Sequence, residues 1–276
     1  MAVPDWMSAY AAGLMQESMA SLGPSLLQMV ELRLYKLADR IFTATEFLKS
    51  LLTDYGVRPE IISVISNGVD PDQFSPSVDC SDIIQKYRLK GRRVVLFSGH
   101  LEEWAGLSLI FDLAKRLDSD VPQSHILLVG SGRTVGLLLQ KLATSGLGHM
   151  LTHAGFHPFK EMPKFIAASD VTLCIFPDTP MSHAASPLKL FEYMGSGRAI
   201  VATSVAGTSE ILDDTMGVLV SPGNADEICD AVVKLCHHPD LRKELGEKAR
   251  RIVTQKYTWE FLAGRFLDEC EATLKS

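Results

Sequence analysis

Residues 182–197 read SHAASPLKLFEYMGSG, and the reading of this stretch decides how the rest of the chain is organised. Ser186 is expected to be an N-cap, because its hydroxyl can accept a bond from a backbone N–H of the first helical turn. Pro187 fits the first helical position, where its missing N–H costs nothing. The helix predicted from there carries Leu188, Lys189, Leu190, Phe191, Glu192, Tyr193 and Met194, and Gly195 or Gly197 can end it. One short loop earlier lies an apolar run, Val171-Thr172-Leu173-Cys174-Ile175-Phe176, closed by Pro177. A strand, a loop and a capped helix start present free N–H groups to an anion, usually phosphate. Lys189, in the first turn, adds a full positive charge. Glu192 lies three residues on, on roughly the same face, and a carboxylate there can accept bonds from two neighbouring hydroxyls, such as those of a ribose. The same two residues also read as an exposed helix pair worth a few tenths of a kcal/mol, and spacing alone does not separate the two readings.

Outward from this stretch, apolar strand-like runs alternate with helical ones. Strands are expected at 93–98, 125–129, 151–154, 171–176, 199–203 and 217–220. Helices are expected at 81–87, 107–117, 134–145, 158–168, 208–213, 226–237, 239–256 and 258–275. That alternation predicts an α/β domain built on a doubly wound parallel sheet of about six strands, with ligands outside the carboxyl ends of the strands. Gly99, Gly130-Ser131-Gly132 and Gly155 are small-residue exits at that edge. The Gly130 segment opens like a dinucleotide fingerprint, but position 135 is Val where a third glycine is required, so no NAD site is expected. Upstream, the pattern predicts a helix over 25–38, a strand over 40–45, a helix over 46–55 capped by Thr45 and a strand over 61–65. Asn67-Gly68 is a turn, and the Pro-containing loop 69–78 is the expected boundary between units 1–77 and 78–276. Residues 1–23 are Met- and Ala-rich and weakly patterned, and read either as a helix without its partner or as a loosely ordered start.

Bulk composition narrows the class. The chain has 276 residues, 46% hydrophobic and 22% charged, as an ordinary globular protein does. Its net charge of -6 argues against broad nucleic-acid binding. The 5 cysteines (Cys80, Cys174, Cys229, Cys236 and Cys270) show no CxxC spacing, which predicts reduced thiols, a cytoplasmic setting and no metal site. The N-terminus lacks a basic n-region and carries Asp5 and Glu17, a poor signal peptide. No run reaches the ~18 apolar residues of a membrane span.

Six segments resemble, in order, the retaining glycosyltransferases of family 4, which have the two-domain GT-B fold. They are Ala38-Asp39-Arg40-Ile41-Phe42-Thr43-Ala44-Thr45; Ile65-Ser66-Asn67-Gly68-Val69-Asp70 with Phe74 and Pro76; Ser98-Gly99-His100-Leu101 with Trp104 and Gly106; Leu127-Leu128-Val129-Gly130-Ser131-Gly132; Ser186-Pro187-Leu188-Lys189-Leu190-Phe191-Glu192-Tyr193-Met194; and Tyr257-Thr258-Trp259-Glu260. The resemblance implies a Rossmann-like C-terminal domain that holds a nucleotide-diphosphate sugar and needs no metal. It implies that Glu192 binds ribose, that Ser186, Pro187 and Leu188 face the diphosphate, and that Gly155 and Phe156 lie beside the base. It places Gly99 and His100 by the diphosphate, with Lys189 and His100 as candidate catalytic groups. It also points to polysaccharide biosynthesis, with a saccharide or lipid-linked acceptor.

The chain departs from the family pattern in three places. Ala184 stands eight residues before Glu192, where a sugar-contacting glutamate is often found. His100 and Ala105 occupy places that tend to carry arginine and lysine, which leaves Lys189 as the nearest replacement charge. Residues 1–77 match only the last part of the family's N-terminal domain. The expectation is therefore a truncated product, half of a split enzyme completed by a partner chain, or a non-catalytic nucleotide-sugar-binding module; a nucleotide-sugar epimerase on the same fold ranks last. The last helix is expected to cross back onto the N-terminal segment. The apolar residues Met7, Leu14, Met15 and Leu27 suggest peripheral contact with the inner face of the membrane or, equally, core left uncovered.

Overall fold

The computed structural model describes residues 2–3, 23–101 and 108–275. Strands β1 (Ala2–Val3), β2 (Ile41–Thr43) and β3 (Ile62–Val64) form a small parallel sheet in that order. Helices α1 (Gly23–Lys36) and α2 (Glu46–Asp54) connect them. Their core gathers Tyr35, Ile41, Leu48, Leu52, Val57 and Ile62. The expected membrane-contact residues Met7, Leu14 and Met15 lie outside the described residues, as do Trp104, Ala105 and Gly106. No helix among the described residues is long and apolar enough to cross a membrane.

The larger unit begins with α3 (Ser81–Lys86) and continues through β4 (Arg93–His100), α4 (Leu109–Asp120), β5 (Ser124–Ser131), α5 (Val135–Thr144), β6 (Leu151–Gly155) and α6 (Met162–Ala167). It goes on to β7 (Val171–Cys174), α7 (Pro180–Ala184), α8 (Leu188–Gly195), β8 (Ala199–Thr203), α9 (Ala206–Ser209) and β9 (Val218–Val220). Helices α10 (Ala225–His237), α11 (Pro239–Lys256) and α12 (Trp259–Lys275) close it. Six strands pair in parallel in the order β6-β5-β4-β7-β8-β9. The central strands carry mostly apolar residues because both faces are covered. Val95 and Phe97 of β4 enter one core with α4, α5 and α10, while Val94 and Leu96 enter the other with α6, α8 and α11.

The chain builds β4, β5 and β6 outward in one direction and then returns to set β7 on the other side of β4. Strand order therefore reverses between β4 and β7, and the crevice outside their carboxyl ends is the favoured ligand position. The Gly130-Ser131-Gly132 exit has a steric task at this edge. Gly130 sits at φ 136°, and a Cβ there would collide with the Gly99 carbonyl, as one at Gly132 would with the Leu101 carbonyl. These glycines let β4 and β5 close together over their whole register, Arg93↔Ser124 to His100↔Ser131.

The smaller unit is tied to the larger at several points. Thr45 caps α2 by accepting from the Leu48 N–H, and it donates to the Ala184 carbonyl. The Glu210 carboxylate accepts from the N–H groups of Glu46 and Phe47, a second cap supplied from across the junction. Helix α12 crosses back over the small sheet: Phe42 and Phe266 lie 4.5 Å apart between ring centroids, Arg40 pairs with Glu269, and Arg265 donates to the Val64 carbonyl at 3.2 Å.

Candidate active site

The helix at the centre of the sequence reading forms, with a different start. Ser186 is not its N-cap and Pro187 is not its first residue. Pro187 itself caps α8 in an extended conformation with no side-chain bond. The reason is that Ser186 is bound elsewhere: its Oγ accepts from the Asn67 N–H at 3.2 Å and its carbonyl from Asn67 Nδ2 at 2.6 Å. The side-chain cap falls instead on Thr179, which accepts from the Ser182 N–H and starts α7. At the start of α8, Leu190 N–H bonds the Pro187 carbonyl, while Leu188 and Lys189 N–H find no partner among the described residues. These two donors carry the positive end of the helix dipole.

Lys189 is not the exposed partner of an ion pair. No contact within ion-pair distance joins it to Glu192. It turns inward to the switch point between β4 and β7, where its Nζ donates to the Ser98 carbonyl at 3.4 Å. The ammonium lies 5.1 Å from the ring centre of Phe97 and 4.7 Å from that of Phe176, in cation–π contact with both. A Cβ at Gly99 would lie 4.0 Å from Nζ, an ordinary contact distance, so the strand end runs close past the ammonium. Burial pushes the Lys189 pKa down, against the pull of Cys174 and Glu192.

Glu192, one turn further on, is 9% exposed. Its carboxylate makes no hydrogen bond or ion pair with any described residue. Burial pushes its pKa up to about 7, and the nearby Lys189 charge only partly offsets this. The residue is largely buried, yet its carboxylate oxygens are not closed off from solvent, so the charge is held at a desolvated but accessible spot. A pair of adjacent hydroxyls would supply what it lacks.

Other predicted positions are dispersed. His100, the last residue of β4, sits opposite Ser131 at the same edge and is exposed. Gly155 ends β6, the outer strand, at φ 83°, and Phe156 beyond it is 75% exposed. They lie two strands away from β4. Ala184 is 2% exposed and packs into the core of the small unit, so this position faces the junction.

Sequence reasoning missed the groups that hold this edge in place. Ser98 Oγ and Tyr193 OH bond at 2.7 Å, both buried, which locks α8 onto β4. Thr203 Oγ1 accepts from the Phe176 N–H and sets the ring that faces Lys189. Tyr193 stood within the stretch that opened the reading, but its partner is 95 residues away. No local pattern reveals such a pairing.

A family model described as "Glycosyl transferases group 1" matches residues 80–252, and one described as "Glycosyltransferase Family 4" matches residues 15–73. Among curated relatives, an uncharacterised glycosyltransferase of Methanocaldococcus jannaschii is 25% identical over 82% of this chain and 57% of its own length. An MMP alpha-(1->4)-mannosyltransferase of Mycolicibacterium hassiacum is 25% identical over 78% of this chain and 49% of its own. The chain thus spans about half the length of these relatives. Among solved structures, Anabaena HepE in complex with UDP and glucose superposes with TM-score 0.77 at 21% identity, covering 91% of this chain and 69% of that one. Sucrose-phosphate synthase of Thermosynechococcus elongatus superposes with TM-score 0.78 at 21% identity, covering 98% and 67%. These likenesses bear out the expected GT-B-type fold.

Proposed function

Because the chain belongs to the glycosyl transferases group 1 family, we propose that it moves a sugar from a nucleotide-diphosphate sugar to an acceptor with retention of configuration. The observation that carries this reading is the largely buried Glu192, whose carboxylate has no partner among the described residues, close to the Lys189 ammonium at the β4–β7 switch point. In this reading Glu192, ionised, accepts from two ribose hydroxyls. The diphosphate lies between the free N–H groups of Leu188 and Lys189 and the Lys189 ammonium. Ser186 still has its hydroxyl proton to donate, since its bond from Asn67 uses only a lone pair. As the bond from sugar to diphosphate breaks, negative charge gathers on the leaving oxygen. Fixed donors at the helix start and the ammonium stabilise that charge more than the ground state, so they lower the barrier. No metal is called upon in this scheme. Gly99 and His100 at the end of β4 would lie by the diphosphate, and Phe156 offers an exposed ring to the base. HepE was crystallised with UDP and glucose, which makes a UDP sugar a first donor to try. The acceptor, a saccharide or a lipid-linked one, and a partner chain completing the acceptor side belong to the same proposal.

The test is calorimetric titration of the chain with UDP and GDP sugars, with Glu192→Ala as control. The expected result is binding of one of them, weakened at least tenfold in the variant. Equal binding by wild type and Glu192→Ala would remove the ribose role. No binding by a folded wild-type chain would overturn the donor reading.

A further inference from the structure

The opposite end of the same sheet holds a second cluster of charge that the transfer reaction does not use. A cavity of about 460 Å³ opens at the amino ends of the strands, lined among others by Lys90, Arg92, Arg93, Asp170 and Arg198. That volume lies in the ordinary range for small-molecule sites. Strand topology creates the cluster. Arg93 is the first residue of β4, Asp170 immediately precedes β7, and Arg198 immediately precedes β8. These three strands are neighbours. Four cationic residues face one carboxylate in the lining, in a chain whose net charge is -6.

The single carboxylate is already engaged. Asp170 Oδ2 accepts from the Val94 N–H at 2.8 Å, and Oδ1 stands 3.6 Å from Arg93 and 3.4 Å from Arg242. Arg92, an exposed residue, donates to His125 Nδ1 at 2.8 Å. Lys90 and Arg198 make no side-chain hydrogen bond or ion pair with any described residue. Arg198 is the telling one. Its Nε is closed off from solvent and has no hydrogen-bond partner. Burial pushes its pKa below the usual arginine range, with Cys80 and Asp170 pulling the other way. Arg198 as a whole is half-buried and its terminal nitrogens are not closed off, so they remain available to an anion in the cavity.

We propose that this amino-end cavity is a binding site for a small phosphorylated anion, with Arg198 and Lys90 as its principal contacts. Clustered cations select a multivalent anion, and the guanidinium fork matches phosphate geometry. The site lies across the sheet from Lys189 and Glu192 and stands independently of the donor reading.

Inorganic pyrophosphate is the probe, titrated into the full chain by calorimetry and by thermal shift. The wild type is expected to bind it and to melt higher in its presence. Arg198→Met keeps the bulk and removes the charge, and should reduce pyrophosphate affinity at least tenfold without lowering the melting temperature of the unliganded chain. Lys90→Ala, at an exposed position, should reduce it about threefold and covers the case in which Arg198→Met fails to fold. Lys189→Met should leave this binding event in place. No binding by the wild type, or binding lost in Lys189→Met but kept in Arg198→Met and Lys90→Ala, would overturn the proposal and move the anion to the carboxyl edge.

Discussion

The two ends of the six-stranded sheet treat buried titratable groups in opposite ways. Near the amino end, His125 is 5% exposed and fully served. Arg92 stands 2.8 Å from its Nδ1 and Thr152 Oγ1 2.8 Å from its Nε2. An arginine can only donate, so Nδ1 accepts and Nε2 carries the proton that goes to Thr152. Burial and the Arg92 charge push this imidazole down to about 4, so it stays neutral. At the carboxyl end Glu192 is buried to a similar degree, is pushed up to about 7, and has no partner among the described residues. Desolvation is the leading cause in both cases, yet only one network is complete. The completed network at His125 belongs to the fold, whereas the carboxylate without a protein partner is where the proposed ribose contact would fall. Arg198 breaks the pattern at the amino end, and that exception is what points to a second site there.

The largest expected effect comes from completing Glu192 artificially. Glu192→Gln keeps the shape and removes the charge. The folded-state pKa of about 7 lies above the unfolded value of 4.5, so the wild type loses stability as pH rises from about 4.5 to about 7. The variant should therefore be more stable by up to ~3 kcal/mol above pH 7 and no different below pH 4.5, as read by urea denaturation across pH. It should also bind the nucleotide donor on the order of 100-fold more weakly, since hydrogen bonds to a charged acceptor are worth about 1.5–3 kcal/mol each. Wild-type affinity should climb with pH until about 7, because only the carboxylate accepts both hydroxyls. A Gln variant that is less stable than wild type at pH 8 would show that Glu192 is satisfied after all.

His125 gives the converse. Its folded pKa of about 4 lies below the ordinary 6.5, so the stability it permits is present above pH 6.5 and is lost as pH falls towards 4. The loss is at most ~3 kcal/mol and should be absent in His125→Asn, whose side chain does not titrate. Donor affinity at a fixed pH of 7 should be the same in both proteins. A change there would mean that the two ends of the sheet are coupled.

Much of this fold was legible because its strands are buried on both faces. Runs such as Val94-Val95-Leu96-Phe97 and Ala199-Ile200-Val201-Ala202-Thr203 have no polar alternation to confuse them, and the glycines and prolines between them mark the exits. Six parallel strands and their order along the chain followed. The helix start at residue 186 was misread for a physical reason: serine before proline is a good local cap, but Asn67, 119 residues away, takes both its oxygens. Likewise spacing put Lys189 and Glu192 on one face, yet it did not reveal that Lys189 turns under Phe97 and Phe176 instead of pairing with Glu192. Chain-distant partners, Ser98 for Tyr193 and Glu210 for the start of α2, are invisible to any local pattern.

The smallest expected effect tests whether the donor edge is set by the larger unit alone. Asn67→Ala removes the 2.6 Å bond to the Ser186 carbonyl and leaves the backbone bond to Ser186 Oγ in place. The part-buried carbonyl it exposes can turn to solvent, so the expected loss of stability is about 1 kcal/mol by thermal denaturation. Helix α8 is also held by Tyr193 on Ser98 and by Arg250 on the Gly195 carbonyl, both independent of Asn67. Its start should therefore shift little, and donor affinity should fall no more than about threefold. A drop as deep as that of Glu192→Gln would sink this view. It would mean that the free N–H groups of Leu188 and Lys189 are aimed by the small unit, and that the junction at Asn67 is part of the binding site.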